Sequence, residues 1–121
     1  MSRPHEIAER FLAELDKHID DIASGRKDEF YDIKDFAAIL CIHPTHLSAT
    51  IKETTGKAPC EHCEGRLAVV AKRMLTSTDW PVSKVAAQLT YDPPTFSRFF
   101  KKFVGVTPSV FRQQVAKNAN A

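Results

Sequence analysis

The chain has 121 residues, 43% of them hydrophobic and 26% charged, with a formal net charge of +2 and three cysteines. That is enough for one self-supporting domain, or two small subdomains sharing a core, without metals or disulfides. No apolar run nears the roughly 18 residues of a membrane span, the N-terminus lacks a signal-peptide pattern, and an odd cysteine count cannot pair fully within one chain, so the expected setting is the reducing cytoplasm.

In chain order, every long segment has helical periodicity and none alternates as a strand does. Ile7, Phe11, Leu15, Ile19 and Ile22 recur at spacings of four, four, four and three, bracketed by Pro4 and Gly25. Residues 26–31 are a polar connection. Asp32 reads as an N-cap, with Asp35 in the first turn, ahead of Ile33, Phe36, Ala37 and Leu40. Pro44 suits the first position of a helix that runs to about Thr55 and stops at Gly56. Pro59 opens a longer helix to about Ser77, a connector of roughly 25 Å at 1.5 Å per residue, with Leu67, Val70, Ala71, Met74 and Leu75 as its stripe. After the turn Thr78-Asp79-Trp80-Pro81 comes a short helix with Val82, Val85, Ala86 and Leu89. Asp92 then caps and Pro93 opens a helix through Phe96, Phe99, Phe100 and Phe103 to Gly105. Thr107 and Pro108 begin a last helix carrying Val110, Phe111 and Val115. The fold expected is all-α, with about seven helices.

Within this order a unit is written twice. Residues 32–59 align with residues 81–108 at a constant offset of 49, without a gap. Eight of the 28 positions are identical: Ala37/Ala86, Ala38/Ala87, Leu40/Leu89, Pro44/Pro93, Ser48/Ser97, Lys52/Lys101, Gly56/Gly105 and Pro59/Pro108. Each copy is a short helix, a tight turn and a longer helix, the outline of a helix-turn-helix. Ala37 and Ala86 allow close helix approach. Leu47/Ile51 and Phe96/Phe100, each spaced by four, anchor the second helix inward.

The residues between those anchors must face outward. They are Thr45, His46, Ser48, Ala49 and Lys52 in the first copy, and Thr95, Ser97, Arg98, Lys101 and Lys102 in the second. Hydroxyls, histidine, arginine and lysine on an exposed helix can reach base edges and phosphates, and Arg98 suits bidentate contact to a guanine. Charge is polarised in the same sense. Residues 1–32 carry five basic and nine acidic side chains; residues 33–121 carry twelve and six. Beyond Asp92 no acid occurs, while Arg98, Lys101, Lys102, Arg112 and Lys117 remain, so an anionic partner is expected at the C-terminal half.

The run Phe96-Ser97-Arg98-Phe99-Phe100-Lys101-Lys102-Phe103-Val104-Gly105-Val106-Thr107-Pro108, followed by Phe111-Arg112, resembles the signature of the DNA-binding domain of AraC/XylS-type transcriptional regulators. The first copy is similar through Ala37, Pro44, Leu47, Ser48, Lys52, Gly56 and Pro59, and the connector through Arg66-Leu67, Ala71 and Met74-Leu75. The likeness extends over about residues 7–115. It implies homeodomain-like units: one at residues 5–58 with its N-terminal helix, a connector at 59–77, and a second unit at 78–117. It further implies a monomeric domain that places two recognition helices in successive major grooves of double-stranded DNA, roughly 34 Å apart, and activates transcription through RNA polymerase. Arg112 joins the candidate DNA-binding residues on this ground. Three departures stand out, the first being a first helix more acidic than a groove-facing surface should be and so expected to point away. The turn Thr90-Tyr91-Asp92-Pro93-Pro94-Thr95 lacks the family's Gly-aromatic pair and is one residue shorter. Ala49 stands where arginine is frequent, which weakens the first helix as a reader.

Other chemistries have less support. Cys60-Glu61-His62-Cys63 could supply two ligands to zinc or form a redox pair, but no second pair lies at zinc-ribbon spacing; packing, without metal or cofactor, is expected. Catalysis is not expected, since no phosphate loop, nucleophile elbow or paired-carboxylate motif occurs, and Asp20-Asp21 and Asp28-Glu29 are solvated charges. The alternative is a protein-interaction module of the same fold, binding polymerase or another regulator and DNA only weakly.

Overall fold

The computed structural model describes residues 3–119, and among them there are seven helices and no strand. They are α1 (Pro4–Ala23), α2 (Ile33–Leu40), α3 (Pro44–Thr55), α4 (Pro59–Ser77), α5 (Val82–Gln88), α6 (Pro93–Val104) and α7 (Pro108–Ala119). No described helix is long and apolar enough to cross a membrane.

The boundaries follow from local chemistry. The Asp32 side chain accepts from the Asp35 backbone N–H, and the Asp35 side chain accepts from the Asp32 N–H. Both orphan donors of the first turn of α2 are thereby satisfied. Proline begins α3, α4, α6 and α7, where a missing N–H costs nothing. Gly56 and Gly105 end α3 and α6 at φ 80° and 95°, a conformation that a Cβ disfavours.

The chain divides into two compact units, one ending at Arg66 and the other beginning at Leu67, so the boundary falls inside α4. Sequence had set residues 59–77 apart as a connector. The N-terminal part of α4 falls in the first unit and its C-terminal part in the second. In the first unit α1 packs on α2 and α3. Its core is Phe11, Leu15, Ile22, Phe36, Leu47 and Ile51, all essentially inaccessible to solvent. Phe11 meets Phe36 edge-on with centroids 5.3 Å apart. The start of α4 is tied to this unit by Arg66, whose Nε donates to Asp16 on α1 at 2.6 Å, and by the His62 ring, 2.7 Å from the Thr55 hydroxyl.

Histidine 18 is buried in the same unit, stacked on Tyr31 at 3.9 Å and edge-on to Phe30 and Phe36. Its Nε2 accepts the Tyr31 backbone N–H at 2.9 Å, which fastens the connection before α2 onto α1. An imidazole that accepts there carries its proton on Nδ1.

The second unit takes in the C-terminal half of α4, whose Leu67, Ala71 and Leu75 are buried, together with α5, α6 and α7. Its α6 packs on α5 and α7, around Val85, Ala86, Leu89, Phe96 and Phe100. Phe99 was expected in the stripe and is buried there; Phe103, expected beside it, is 39% exposed. The ring of Tyr91 stacks on Phe99 at 5.0 Å, and Phe99 meets Phe103 at 5.5 Å.

Candidate nucleic-acid interface

The 49-residue offset is preserved in three dimensions. Both α3 and α6 span 12 residues, start on equivalent prolines and end on equivalent left-handed glycines. Both preceding turns close in the same way. The N–H of Ile42 bonds the Ala37 carbonyl at 3.0 Å, and that of Tyr91 bonds the Ala86 carbonyl at 2.8 Å. These turns require a left-handed residue, and here it is Cys41 at φ 58° and Thr90 at φ 69°. Thr90 stands where the resemblance puts glycine. A β-branched residue is strained in that conformation, so the turn is kept at a local cost.

Anchors and outward residues separate as their spacing requires. Leu47 and Ile51 on α3, and Phe96 and Phe100 on α6, are wholly buried. On α3 the side chains of Thr45, His46, Ala49 and Lys52 are exposed and Ser48 is half-buried. On α6 the side chains of Arg98, Lys101 and Lys102 are exposed, while Thr95 and Ser97 are half-buried. Each helix thus brings its candidates onto one solvent-facing side.

The two N-caps differ. On α3 the His43 Nδ1 accepts the Thr45 N–H at 3.2 Å. On α6 the Asp92 carboxylate accepts the Thr95 N–H at 3.2 Å and the Thr95 hydroxyl at 2.9 Å. The hydrogen bonds from the Thr95 hydroxyl and backbone, with the Arg98 charge a smaller cause, hold the Asp92 carboxyl below its ordinary range. Arg98 in turn donates from Nη2 to the Thr95 hydroxyl at 3.4 Å. Asp92 was legible as a cap but not as part of this face. The signal was available: Asp-x-x-Thr-x-x-Arg, with successive steps of three residues, lines one helix side.

Arg112 is placed elsewhere. It is half-buried, and its guanidinium donates to the carbonyls of Leu75 at 3.1 Å, Trp80 at 2.6 Å and Thr78 at 3.4 Å. Those groups belong to the last turn of α4 and the turn before α5, so Arg112 fastens α7 to them.

The cysteine pair has little thiolate character on its buried side. Cys60 is exposed, whereas burial, reinforced by Cys60 nearby, pushes the Cys63 thiol up to about 11. Among the described residues no three His, Cys, Asp or Glu side chains converge as a metal would require.

Two helical units, each carrying a helix-turn-helix whose longer helix turns one side to solvent, define an all-α helix-turn-helix protein. A helix-turn-helix domain family matches residues 36–114, about two thirds of the chain. The chain belongs to the AraC-type helix-turn-helix regulators, a family of DNA-binding transcription factors rather than enzymes. It is 31% identical over 100 residues to the arabinose operon regulatory protein of Escherichia coli K12, covering 82% of this chain and 34% of that protein. It is 32% identical over 85 residues to the MmsAB operon regulatory protein of Pseudomonas aeruginosa, covering 69% of this chain and 28% of that one. The chain therefore spans about a third of the length of these relatives. Among solved structures, the C-terminal domain of the response regulator AraT from Geobacillus stearothermophilus has a TM-score of 0.79 at 26% identity, covering 93% of this chain and 88% of that one. The DNA-binding domain of AdpA, a global transcriptional factor solved with a target DNA, has a TM-score of 0.78 at 22% identity, covering 97% and 96%.

Proposed function

We propose that this chain binds double-stranded DNA sequence-specifically, as a monomeric module of a cytoplasmic transcriptional activator, with α3 and α6 entering successive major grooves. The observation that carries this is the repetition itself: two helices of equal length, opened by proline, closed by a left-handed glycine and anchored alike, each turning a polar or basic side outward. On α3, Thr45, His46, Ser48 and Lys52 line the groove, with Ala49 adding contact but no charge. On α6, Arg98 reads a base, Thr95 and Ser97 contact base edges or backbone, and Lys101 and Lys102 hold phosphates. Arg112 serves the interface indirectly, by fastening α7. The AdpA domain, solved with a target DNA, supports the reading through its shared fold.

Selection of bound duplexes from a random pool tests it. The expected product is a bipartite motif with half-site centres about one helical turn apart. A pool with no enriched motif would overturn sequence-specific reading.

One observation favours the second reading, a module that binds RNA polymerase or another regulator. Where α6 carries Arg98 and Lys102, α3 carries Ala49 and Glu53, so its outer side holds little positive charge. Salt dependence separates the readings. Contact to about 4–6 phosphates gives a log–log slope of about −4 to −5, while a flat response favours the protein partner.

A further inference from the structure

We propose that Asp92 and Thr95 are positioning residues that orient Arg98 and make the second recognition helix discriminate between base edges and phosphates. The inference rests on α6 being a DNA reader, and it concerns how that reader is set.

The polarity of the chain of contacts is unambiguous. A carboxylate only accepts, and a guanidinium only donates. The single hydroxyl proton of Thr95 therefore goes to Asp92 at 2.9 Å, which leaves its oxygen to accept Arg98 Nη2 at 3.4 Å. The backbone N–H of Thr95 also points to Asp92, so the threonine is held at two points and its rotamer is set by the cap. Arg98, otherwise a long side chain free in solvent, is drawn back toward the N-terminal turns of α6, the part of a recognition helix that meets base edges. The contact to Thr95 is long and gives way easily, so it orients the guanidinium without competing with a base.

The charge of Asp92 has a second consequence. A carboxylate beside Arg98 lowers the gain from placing that guanidinium on a phosphate, because the same phosphate meets Asp92. A guanine edge is neutral and offers two acceptors in the fork geometry of arginine. The carboxylate thus penalises non-specific contact more than specific contact, which is specificity obtained by repulsion of the wrong partner. The first unit lacks every part of this arrangement. The equivalent residues are His43, His46 and Ala49, and the cap there is a ring nitrogen.

The test measures affinity for a duplex selected by the intact chain and for its single base-pair variants, at several salt concentrations. Asp92→Asn keeps an N-cap of equal quality but removes the charge. It is expected to bind random duplex about threefold to tenfold more tightly, to steepen the salt slope by about one, and to lose about threefold to tenfold in discrimination at the base pair that Arg98→Ala identifies. Thr95→Val removes the hydroxyl link and is expected to lose discrimination at the same base pair, whereas Thr95→Ser retains it. Thermal melts of each variant record whether α6 is still formed. Wild-type discrimination and salt slope in Asp92→Asn would overturn the inference while leaving DNA reading intact, as would a gain in affinity shared equally by all duplexes. Failure of the unaltered chain to bind any duplex would remove both.

Discussion

The two units solve one packing problem in different ways. Behind the recognition helix of the first unit lies α1, a 20-residue helix, and the α3 positions on the covered side include the polar Thr50, only 5% exposed. The second unit holds the C-terminal half of α4 and α7 instead, and the equivalents of Ile42, Thr50 and Thr54 are Tyr91, Phe99 and Phe103. Tyr91 stacks on Phe99, and Phe103 meets Phe99 at a tilt, its own ring 39% exposed. The same backbone unit therefore carries a polar residue at a buried position in one copy and a cluster of aromatic rings at the equivalent place in the other. The outer sides differ as well: α6 exposes Arg98, Lys101 and Lys102, whereas α3 exposes Lys52 beside Glu53.

Equivalent anchors provide the largest test of that comparison. Phe100→Ala is expected to cost about 3–5 kcal/mol and Ile51→Ala about 2–5 kcal/mol, each read as the loss of stability in denaturant melts. Phe99→Ala should cost more than Thr50→Ala, because only the former breaks the ring stack. Equal losses at that pair would mean that the ring stack adds nothing to the second unit. Next in size is Arg112→Ala, which strips a charged donor from three carbonyls and should cost about 2–3 kcal/mol. Its effect on DNA affinity should vanish where the variant is fully folded. A persistent loss of affinity in the folded variant, with a shallower salt slope, would show Arg112 to be a phosphate contact after all.

On the outer side, Arg98→Ala is expected to cost about 1–3 kcal/mol of binding and to relax base preference at one position. Lys101→Ala and Lys52→Ala should each weaken binding to all sequences alike and reduce the salt slope by about 0.9. If Lys52→Ala left affinity and slope unchanged, α3 would not lie against the phosphate backbone. Smaller still is Thr90→Gly. Relief of a left-handed β-branched residue, worth about 1–2 kcal/mol, is partly offset by the flexibility of glycine in the unfolded chain. A net gain of about 0.5–1 kcal/mol is expected in a thermal melt, with less from Cys41→Gly.

Much of the fold was legible because its punctuation is local. Pro44, Gly56, Pro59, Pro93, Gly105 and Pro108 mark helix ends through their own backbone restrictions, and all six stand at the boundaries expected. Ala37 and Ala86 are buried as close helix approach requires. What depended on distant partners was not legible. The Arg112 contacts span 32 to 37 residues of chain, and nothing in Phe111-Arg112 indicates that carbonyls at the end of α4 await it. The division within α4 likewise depends on Asp16 and Thr55 meeting Arg66 and His62. The strained Thr90 was visible as a missing glycine, but periodicity says nothing of φ. His18 falls three residues after Leu15, on the apolar side of α1; its charge class hid a residue that packs as an aromatic one.

The finest contrast between the units is their response to acid, because all five histidines precede Arg66. Burial among Tyr31, Phe30 and Phe36 lowers the pKa of His18; Asp21 and Asp35 oppose this, and Lys27 adds to it. Burial also lowers that of His62, helped by Arg66 and Lys57. A lowered pKa in the folded state means that the unfolded chain takes up the proton first as pH falls. The contribution of both rings to stability is complete above about 6.5 and declines as pH drops below it. Protonation of His18 also removes the acceptor of the Tyr31 N–H, so the connection before α2 should loosen first. The second unit contains no histidine, and the hydrogen bonds from Thr95 hold its Asp92 carboxyl below the ordinary carboxylate range, so it keeps its charge as the histidines titrate. Trp80, the single tryptophan, lies in that unit and reports it by fluorescence, while amide exchange at Tyr31 reports the first. Between pH 7 and 5 the Tyr31 amide is expected to lose protection while the Trp80 melting midpoint holds. Equal losses by both probes would assign the acid response to the whole chain instead of to its histidine-bearing unit.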